Sequence, residues 1–240
     1  MEIYKSEIEA GLSDLLKNNS VAYCAQANLH KGDLESAKIS ISNADVLEKV
    51  VAQNKDQVDL YYLESVLVST GWNKNDDVFS SAETWAARNT PEDKQFNYMH
   101  DEDDIIGHIT GSYVVDRDGN RLDQEEKPEQ FDIVTQAVLY TSWSGEEKRD
   151  RMKNIIAEIE EGKWFVSMEC LFPAFDYALQ TSEGETKIIE RNEASAFLTK
   201  HLRAYGGEGT YENYRIGRLL RNLAFSGKGL VSKPANPRSI

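Results

Sequence analysis

Cysteine is scarce in this chain. Cys24 and Cys170 are the two cysteines among 240 residues, and two cysteines cannot build the disulfide framework of a small secreted protein. Cys170 lies in an apolar segment, where a reduced thiol behaves as a small hydrophobic side chain. The sequence therefore predicts a reducing compartment.

Long hydrophobic runs are also missing. The first residues, Met1 to Lys5, contain no apolar core of a signal peptide, and no apolar run approaches the length of about 20 residues that crosses a bilayer. We therefore expect no membrane partner. The expected location is the cytoplasm, or the inside of an assembly that forms there.

Basic residues are too few for a nucleic-acid-binding protein. The chain has 27 Lys and Arg against 41 Asp and Glu, which gives a formal net charge of −14. Phosphate groups bind clustered Lys and Arg, and the sequence has no basic stripe. The composition excludes nucleic acid as an expected partner and favours neutral or basic partners.

The hydrophobic pattern predicts an α+β fold with an N-terminal helical arm. Leucine and isoleucine near helical spacing predict a helix over residues 1–17, and Ser42 begins a second helical pattern. We expect residues 1–55 to form the arm and residues 56–240 to form the main domain.

Within residues 56–240, strand and helix patterns follow one another without an internal repeat. Met152, Ile155, Ile156 and Ile159 share one face of a helix that should end before Gly162. The remaining predicted elements are strands over 60–69, 105–115, 131–143 and 164–171, a short helix before Pro91, a hairpin near 182–184, a helix over 193–205 and a strand-rich tail over 215–231.

His100 stands at the start of an acidic segment. Asp101, Glu102, Asp103 and Asp104 follow it directly. A carboxylate that accepts a proton from one imidazole nitrogen leaves the other nitrogen able to act as a base. Two other interpretations stay open: a solvated acidic turn, or a metal site that adds His108 to these carboxylates.

Ser167 is the hydroxyl that could be paired with His100. In the period-two segment 164–171, Ser167 shares a face with Phe165, Glu169 and Leu171. A serine becomes a nucleophile when a base removes its proton, and histidine is the usual base. No Gly-x-Ser-x-Gly motif surrounds Ser167, which disfavours an α/β-hydrolase. The separation of 67 positions between His100 and Ser167 leaves their contact a hypothesis.

Three motifs in order resemble those of the prohead (capsid maturation) proteases of tailed bacteriophages. They are 97–101 (Asn-Tyr-Met-His-Asp) followed by Ile106-Gly107, then 166–169 (Val-Ser-Met-Glu), and finally 225–231 leading into 234–237 (Pro-Ala-Asn-Pro). The resemblance covers about residues 60–237. It implies an assemblin-like fold, in which helices surround a β-barrel-like core.

The resemblance also implies a serine endopeptidase with His100 as general base and Ser167 as nucleophile, without cofactor or metal. Its expected substrates are phage scaffold or core proteins and major capsid proteins, with self-cleavage and a possible homo-oligomer, inside the assembling prohead in the host cytoplasm. Members of the family have a third catalytic residue near the final strand. Here no carboxylate stands there, so Ser226, Glu190 and the acids 101–104 all remain candidates.

Two other functions compete with the protease. One is a catalytically inactive capsid-assembly or scaffold-associated protein of the same fold. The other is a metal-dependent hydrolase that uses the acidic turn from His100 to His108. Chemical labelling of Ser167 separates the first alternative from the protease, and sensitivity to a chelator separates the second.

Overall fold

A computed structural model gives the fold of residues 1–17, 20–25, 59–122 and 127–231. These residues confirm an α+β protein that consists mostly of strands, with curled half-barrel sheets and a few helices. The described helices are α1 (Lys5–Glu9), α2 (Ser13–Lys17), α3 (Ser81–Ala87), α4 (Glu146–Glu160) and two 3-10 helices, Ala196–His201 and Arg203–Tyr205. None of the described helices is long and apolar enough to cross a membrane.

The described strands include the four predicted over 60–69, 105–115, 131–143 and 164–171, together with others that the sequence pattern did not predict. They are β1 (Ser20–Ala25), β2 (Leu60–Ser69), β3 (Gly71–Trp72), β4 (Asp77–Phe79), β5 (Gln95–Tyr98), β6 (Asp101–Val115), β7 (Asp132–Tyr140), β8 (Phe165–Leu171), β9 (Ala174–Gln180), β10 (Thr186–Ile189), β11 (Thr210–Tyr211), β12 (Tyr214–Arg221) and β13 (Ala224–Val231). The hairpin of β9 and β10 and the strands of the tail were both predicted.

The chain divides into two interleaved units. The first unit contains residues 1–21, 70–87 and 170–224, and the second contains 22–69, 88–169 and 225–240. The smaller sheet, with strand order β10-β9-β12-β4-β3 and β11 beside β12, lies in the first unit. The predicted boundary between residues 55 and 56 falls outside the described residues, so the division into arm and main domain stays a prediction.

The predicted helix over residues 1–17 is interrupted. Gly11 has a φ of +73° and separates α1 from α2, because glycine readily takes the left-handed conformation that ends a helix. Leu12 and Leu16 are buried as expected, but Ile8 and Leu15 are 58% and 49% exposed. The second predicted helix, after Ser42, lies outside the described residues.

The predicted helix over 193–205 also differs from the structure. Two short 3-10 helices replace it, and between them Leu202 has extended backbone with φ −72° and ψ 131°. The side chain of Leu202 is 1% exposed. Burial of this leucine in an extended conformation interrupts the helix that its local sequence favours.

The larger sheet has strand order β1-β8-β13-β5-β6-β7-β2. On a flat sheet, β13 and β2 would be about 19 Å apart, since neighbouring strands are about 4.8 Å apart. Yet the Nζ atom of Lys228 on β13 lies 3.2 Å from Ser65 Oγ on β2 and 3.1 Å from Thr135 Oγ1 on β7. A lysine side chain is about 6 Å long, so the sheet must curl to bring these strands together.

The inner face of this curl holds the core of the second unit. Helix α4 contributes Met152, Ile155 and Ile159, as its spacing predicted, and these pack with Phe96 and Leu230 from β5 and β13. Burial of such side chains is the main source of stability in the unit. The alternation along β13 and β8 then directs the intervening residues, among them Gly229 and Glu169, to the outer face.

Candidate functional site

His100 lies in a tight turn between β5 and β6. Tyr98 pairs with Asp101 across the hairpin, so Met99 and His100 are the two loop residues, with φ values of +57° and +61°. Two-residue hairpin loops with both φ values positive usually contain Asn and Gly. A histidine there has strained backbone, and strain of this kind is concentrated at functional sites.

Glu169 on β8 holds the imidazole of His100. The Nδ1 atom of His100 is 2.7 Å from Glu169 Oε1, and Asn97 Nδ2 donates to the same oxygen over 2.7 Å. Burial would raise the pKa of Glu169, but hydrogen bonds from His100 and Asn97 outweigh it and lower the pKa below its ordinary value.

The ionised carboxylate fixes the tautomer of His100. A carboxylate can only accept hydrogen bonds, so Nδ1 must carry the proton that Glu169 accepts. The Nε2 atom of the neutral ring is then the nitrogen with a lone pair, and it is shielded from solvent. This is the arrangement in which a histidine can accept a proton from a hydroxyl group.

Two glycines of β13 leave room for this pair. A Cβ atom on Gly229 would lie 3.0 Å from His100 Nδ1 and 2.8 Å from Asn97 Oδ1, and one on Gly227 would lie 2.7 Å from Glu169 Oε2. Such distances are shorter than ordinary van der Waals contact. The imidazole and the carboxylate therefore lie directly against the β13 backbone.

We expect Gly229→Ala to lower the cleavage activity proposed below by about 10- to 100-fold, because small displacements of reacting groups are costly. The added methyl group must displace His100 or Asn97. Unfolding in urea should show a smaller change, of at most about 2 kcal/mol.

Gly111 on β6 provides a matched control for this substitution. The nearest atom to a Cβ on Gly111 is Gln136 Oε1, at 3.4 Å, which is ordinary contact. Gly111→Ala should therefore leave the activity within about twofold of the wild type. Equal losses in the two alanine variants would contradict the role assigned to Gly229.

Ser167 lies two residues before Glu169 on β8 and on the same face of the strand. Their Cα atoms are about 7 Å apart by strand geometry. Ser167 is fully buried, and its Oγ atom has no hydrogen-bond partner among the described residues. His100 and Ser167 thus share the outer face of one sheet, with Glu169 beside both, but no hydrogen bond joins them in this state.

The segment 101–108 was predicted as an acidic turn, but it forms the first part of strand β6. Both carboxylate oxygens of Asp104 accept hydrogen bonds from Arg151, and His108 Nδ1 is 2.9 Å from the phenolic Oη atom of Tyr140. Within the described residues, no group of three or more His, Cys, Asp or Glu is placed to hold a metal ion. The described residues therefore contain no set of ligands for the metal-dependent hydrolase.

Ser226, Glu190 and the acids 101–104 stay predictions for the third residue, and alternation along β13 places Ser226 on the face opposite Gly227. The carboxylate that the structure shows in contact with His100 is that of Glu169, over 2.7 Å. The sequence did contain a signal for Glu169, because a carboxylate two residues after a serine in a strand lies on the same face as that serine.

Comparisons of the chain with models of known protein families, with curated proteins and with solved structures found no match. The protein is therefore characterised by its own fold and by the geometry of this site. It is an α+β protein in which a histidine–glutamate pair lies on the same sheet face as a buried serine.

Proposed function

We propose that the chain is a serine endopeptidase with Ser167 as nucleophile, His100 as general base and Glu169 as the residue that orients the base. The observation that carries this proposal is the 2.7 Å contact between His100 Nδ1 and Glu169 Oε1, two residues from Ser167 on one strand face. A carboxylate, an imidazole and a hydroxyl in this order are the three groups of a catalytic triad.

The reaction follows from the proton positions. His100 Nε2 accepts the proton of the Ser167 hydroxyl as Oγ bonds to the carbonyl carbon of the peptide. The tetrahedral intermediate collapses, and the imidazolium gives its proton to the leaving amine. Water then hydrolyses the acyl-enzyme by the same two proton transfers. Glu169 remains ionised and stabilises the imidazolium.

The proposed substrates are phage scaffold or core proteins and major capsid proteins, together with the chain itself. Support for this substrate class comes from the three sequence motifs around His100, Ser167 and 225–237. We place the reaction inside the assembling prohead in the host cytoplasm. The acyl chemistry above requires no cofactor.

A second candidate is a catalytically inactive assembly protein of the same fold. The observation that favours it is the complete burial of Ser167, since a nucleophile must meet its substrate. A protease in this state would need a movement that exposes the hydroxyl and brings it within about 3 Å of His100 Nε2.

Labelling with a fluorophosphonate separates the two candidates. The protease should be modified at Ser167, detected by mass spectrometry, and should cleave either itself or an unfolded protein such as reduced casein. Ser167→Ala should abolish both the labelling and the cleavage, a loss of at least about 10³-fold.

Ser226→Ala is the matched control for this experiment. Ser226 is a half-buried serine on β13, and its replacement should preserve labelling and cleavage. If purified wild-type protein is neither labelled at Ser167 nor active on any of these substrates, the assembly role replaces the protease.

A further inference from the structure

Asn97 is a fully buried polar residue on β5, in direct contact with the proposed site. Its Nδ2 atom donates to Glu169 Oε1, the oxygen that also accepts from His100. Because a carboxylate cannot donate, this contact fixes the orientation of the Asn97 amide group. The Oδ1 atom must therefore point away from Glu169.

The Oδ1 atom of Asn97 is left as a buried acceptor beside the imidazole. Among the described residues it has no hydrogen-bond partner. A Cβ atom built on Gly229 would lie 2.8 Å from this oxygen. The same Cβ atom would lie 3.0 Å from His100 Nδ1 and 3.1 Å from His100 Cε1. Asn97 Oδ1 and the Nδ1–Cε1 edge of the His100 ring thus both border the space next to Gly229.

We propose that Asn97 is a positioning residue for the His100–Glu169 pair, with a different task for each end of its amide. The Nδ2 end holds the Glu169 carboxylate where His100 can donate to it. The Oδ1 end favours the protonated imidazole that forms when His100 takes a proton. The inference rests on the proposed function for its catalytic meaning, but its effect on His100 does not require turnover.

The energetic argument is that a buried, unsatisfied acceptor destabilises the folded protein. An apolar side chain of the same size would avoid this penalty at residue 97. The penalty is reduced when a positive charge develops next to the oxygen, since a partial negative charge stabilises a cation in a medium of low dielectric constant. Asn97 Oδ1 is therefore better matched to the imidazolium than to the neutral ring.

Other charged side chains near His100 are not substituted in the experiment below. They are Glu169 on β8 and the carboxylates of Asp101, Glu102 and Asp103, which follow the turn in β6. Lys228 on β13 projects to the opposite face, toward Ser65 and Thr135. A change in the titration of His100 can then be attributed to residue 97.

The experiment compares Asn97→Leu with Asn97→Asp in the full chain, by NMR titration of the His100 ring. The leucine variant lacks both ends of the amide, so the pKa of His100 should fall by about one unit. The aspartate variant adds a carboxylate near the ring, so the pKa should rise by about one unit. The pH profile of cleavage should move in the same two directions.

Gln136→Leu is the matched control. Gln136 also donates its amide to a glutamate on the neighbouring strand, Glu64, over 2.6 Å, and these two residues lie on β7 and β2 rather than on β5, β8 or β13. This variant should leave the His100 titration unchanged. If the role of Asn97 were purely structural, the pKa of His100 would move in the same direction in Asn97→Leu and Asn97→Asp, or would not move in either. Either result overturns the proposal.

The outcomes of the titration and of the labelling experiment are independent of each other. Opposite shifts of the His100 pKa support the role of Asn97 even in a protein whose Ser167 is not labelled, and in that case the proposed protease function fails alone. Labelling of Ser167 together with an unchanged titration in both variants retains the protease and overturns the role of Asn97.

Discussion

Replacement of His100 by glycine should remove cleavage yet give a more stable protein than replacement by alanine. Both variants lose the imidazole that we propose as general base, and we expect kcat to fall by at least about 10³-fold in each. Both also lose the hydrogen bond to Glu169. They differ in backbone strain, because the φ of +61° at residue 100 is unstrained for glycine and costs other residues about 1 kcal/mol.

The measurement is the difference in urea-unfolding free energy between His100→Gly and His100→Ala, with an expected value of about 1 kcal/mol in favour of glycine. Glu102, an exposed residue of β6 without a positive φ, gives the control pair. There glycine should be the less stable variant, by about 0.5–1 kcal/mol. If the glycine and alanine variants have the same order of stability at residue 100 as at residue 102, the backbone of the turn is not strained at residue 100.

This pair of variants also tests why a histidine occupies the turn. A hairpin selected for stability alone would favour Asn-Gly at residues 99 and 100. The turn instead places the imidazole against Glu169 and over Gly229. Stability is lost locally, and the imidazole is held in one orientation.

Much of the second unit could be predicted from the sequence because its elements follow simple periodicities. Most of strand β2 buries the residues that period two selects, and helix α4 buries those that period 3.6 selects. The same alternation places Ser167 and Glu169 on one face. The pairing of Glu169 with His100 was missed because it joins β8 to a turn across β13, a contact 69 residues apart in sequence.

Irregular features of the hairpin were equally inaccessible to pattern analysis. The β5–β6 register shifts twice between Phe96 and Tyr98, so simple alternation cannot say which residues of this hairpin face the site. Gly227 and Gly229 of β13 follow period two, but glycine has no side chain from which a pattern could predict a partner. Their role becomes visible only when the positions of His100 and Glu169 above them are known.

Lys228 was not singled out in the sequence, and it gives the second large prediction. The residue is fully buried between Gly227 and Gly229, and its ammonium group lies 4.6 Å from the centre of the Phe96 ring. Burial lowers the pKa of Lys228 to about 7, and the charge of Glu64 opposes this only in part. The folded protein therefore binds this proton far more weakly than the unfolded chain does.

The sign of the resulting pH dependence follows from the two pKa values. Between about pH 7 and the ordinary lysine pKa of 10.5, the unfolded chain is protonated at Lys228 and the folded protein is not. The free energy of unfolding should therefore rise with pH across this window, by on the order of 4 kcal/mol from this residue. Below about pH 7 both states hold the proton, and the full penalty of the buried charge remains.

Lys228→Met should remove this rise, because methionine fills a similar volume without a titrating group. The measurement is urea unfolding at several pH values from 6 to 10, and the slope of unfolding free energy against pH should be clearly smaller than in the wild type. Lys153→Met, at a side chain of α4 that is 74% exposed, should leave the slope unchanged. A wild-type slope retained in Lys228→Met would mean that burial of the Lys228 ammonium group is not the source of the pH dependence.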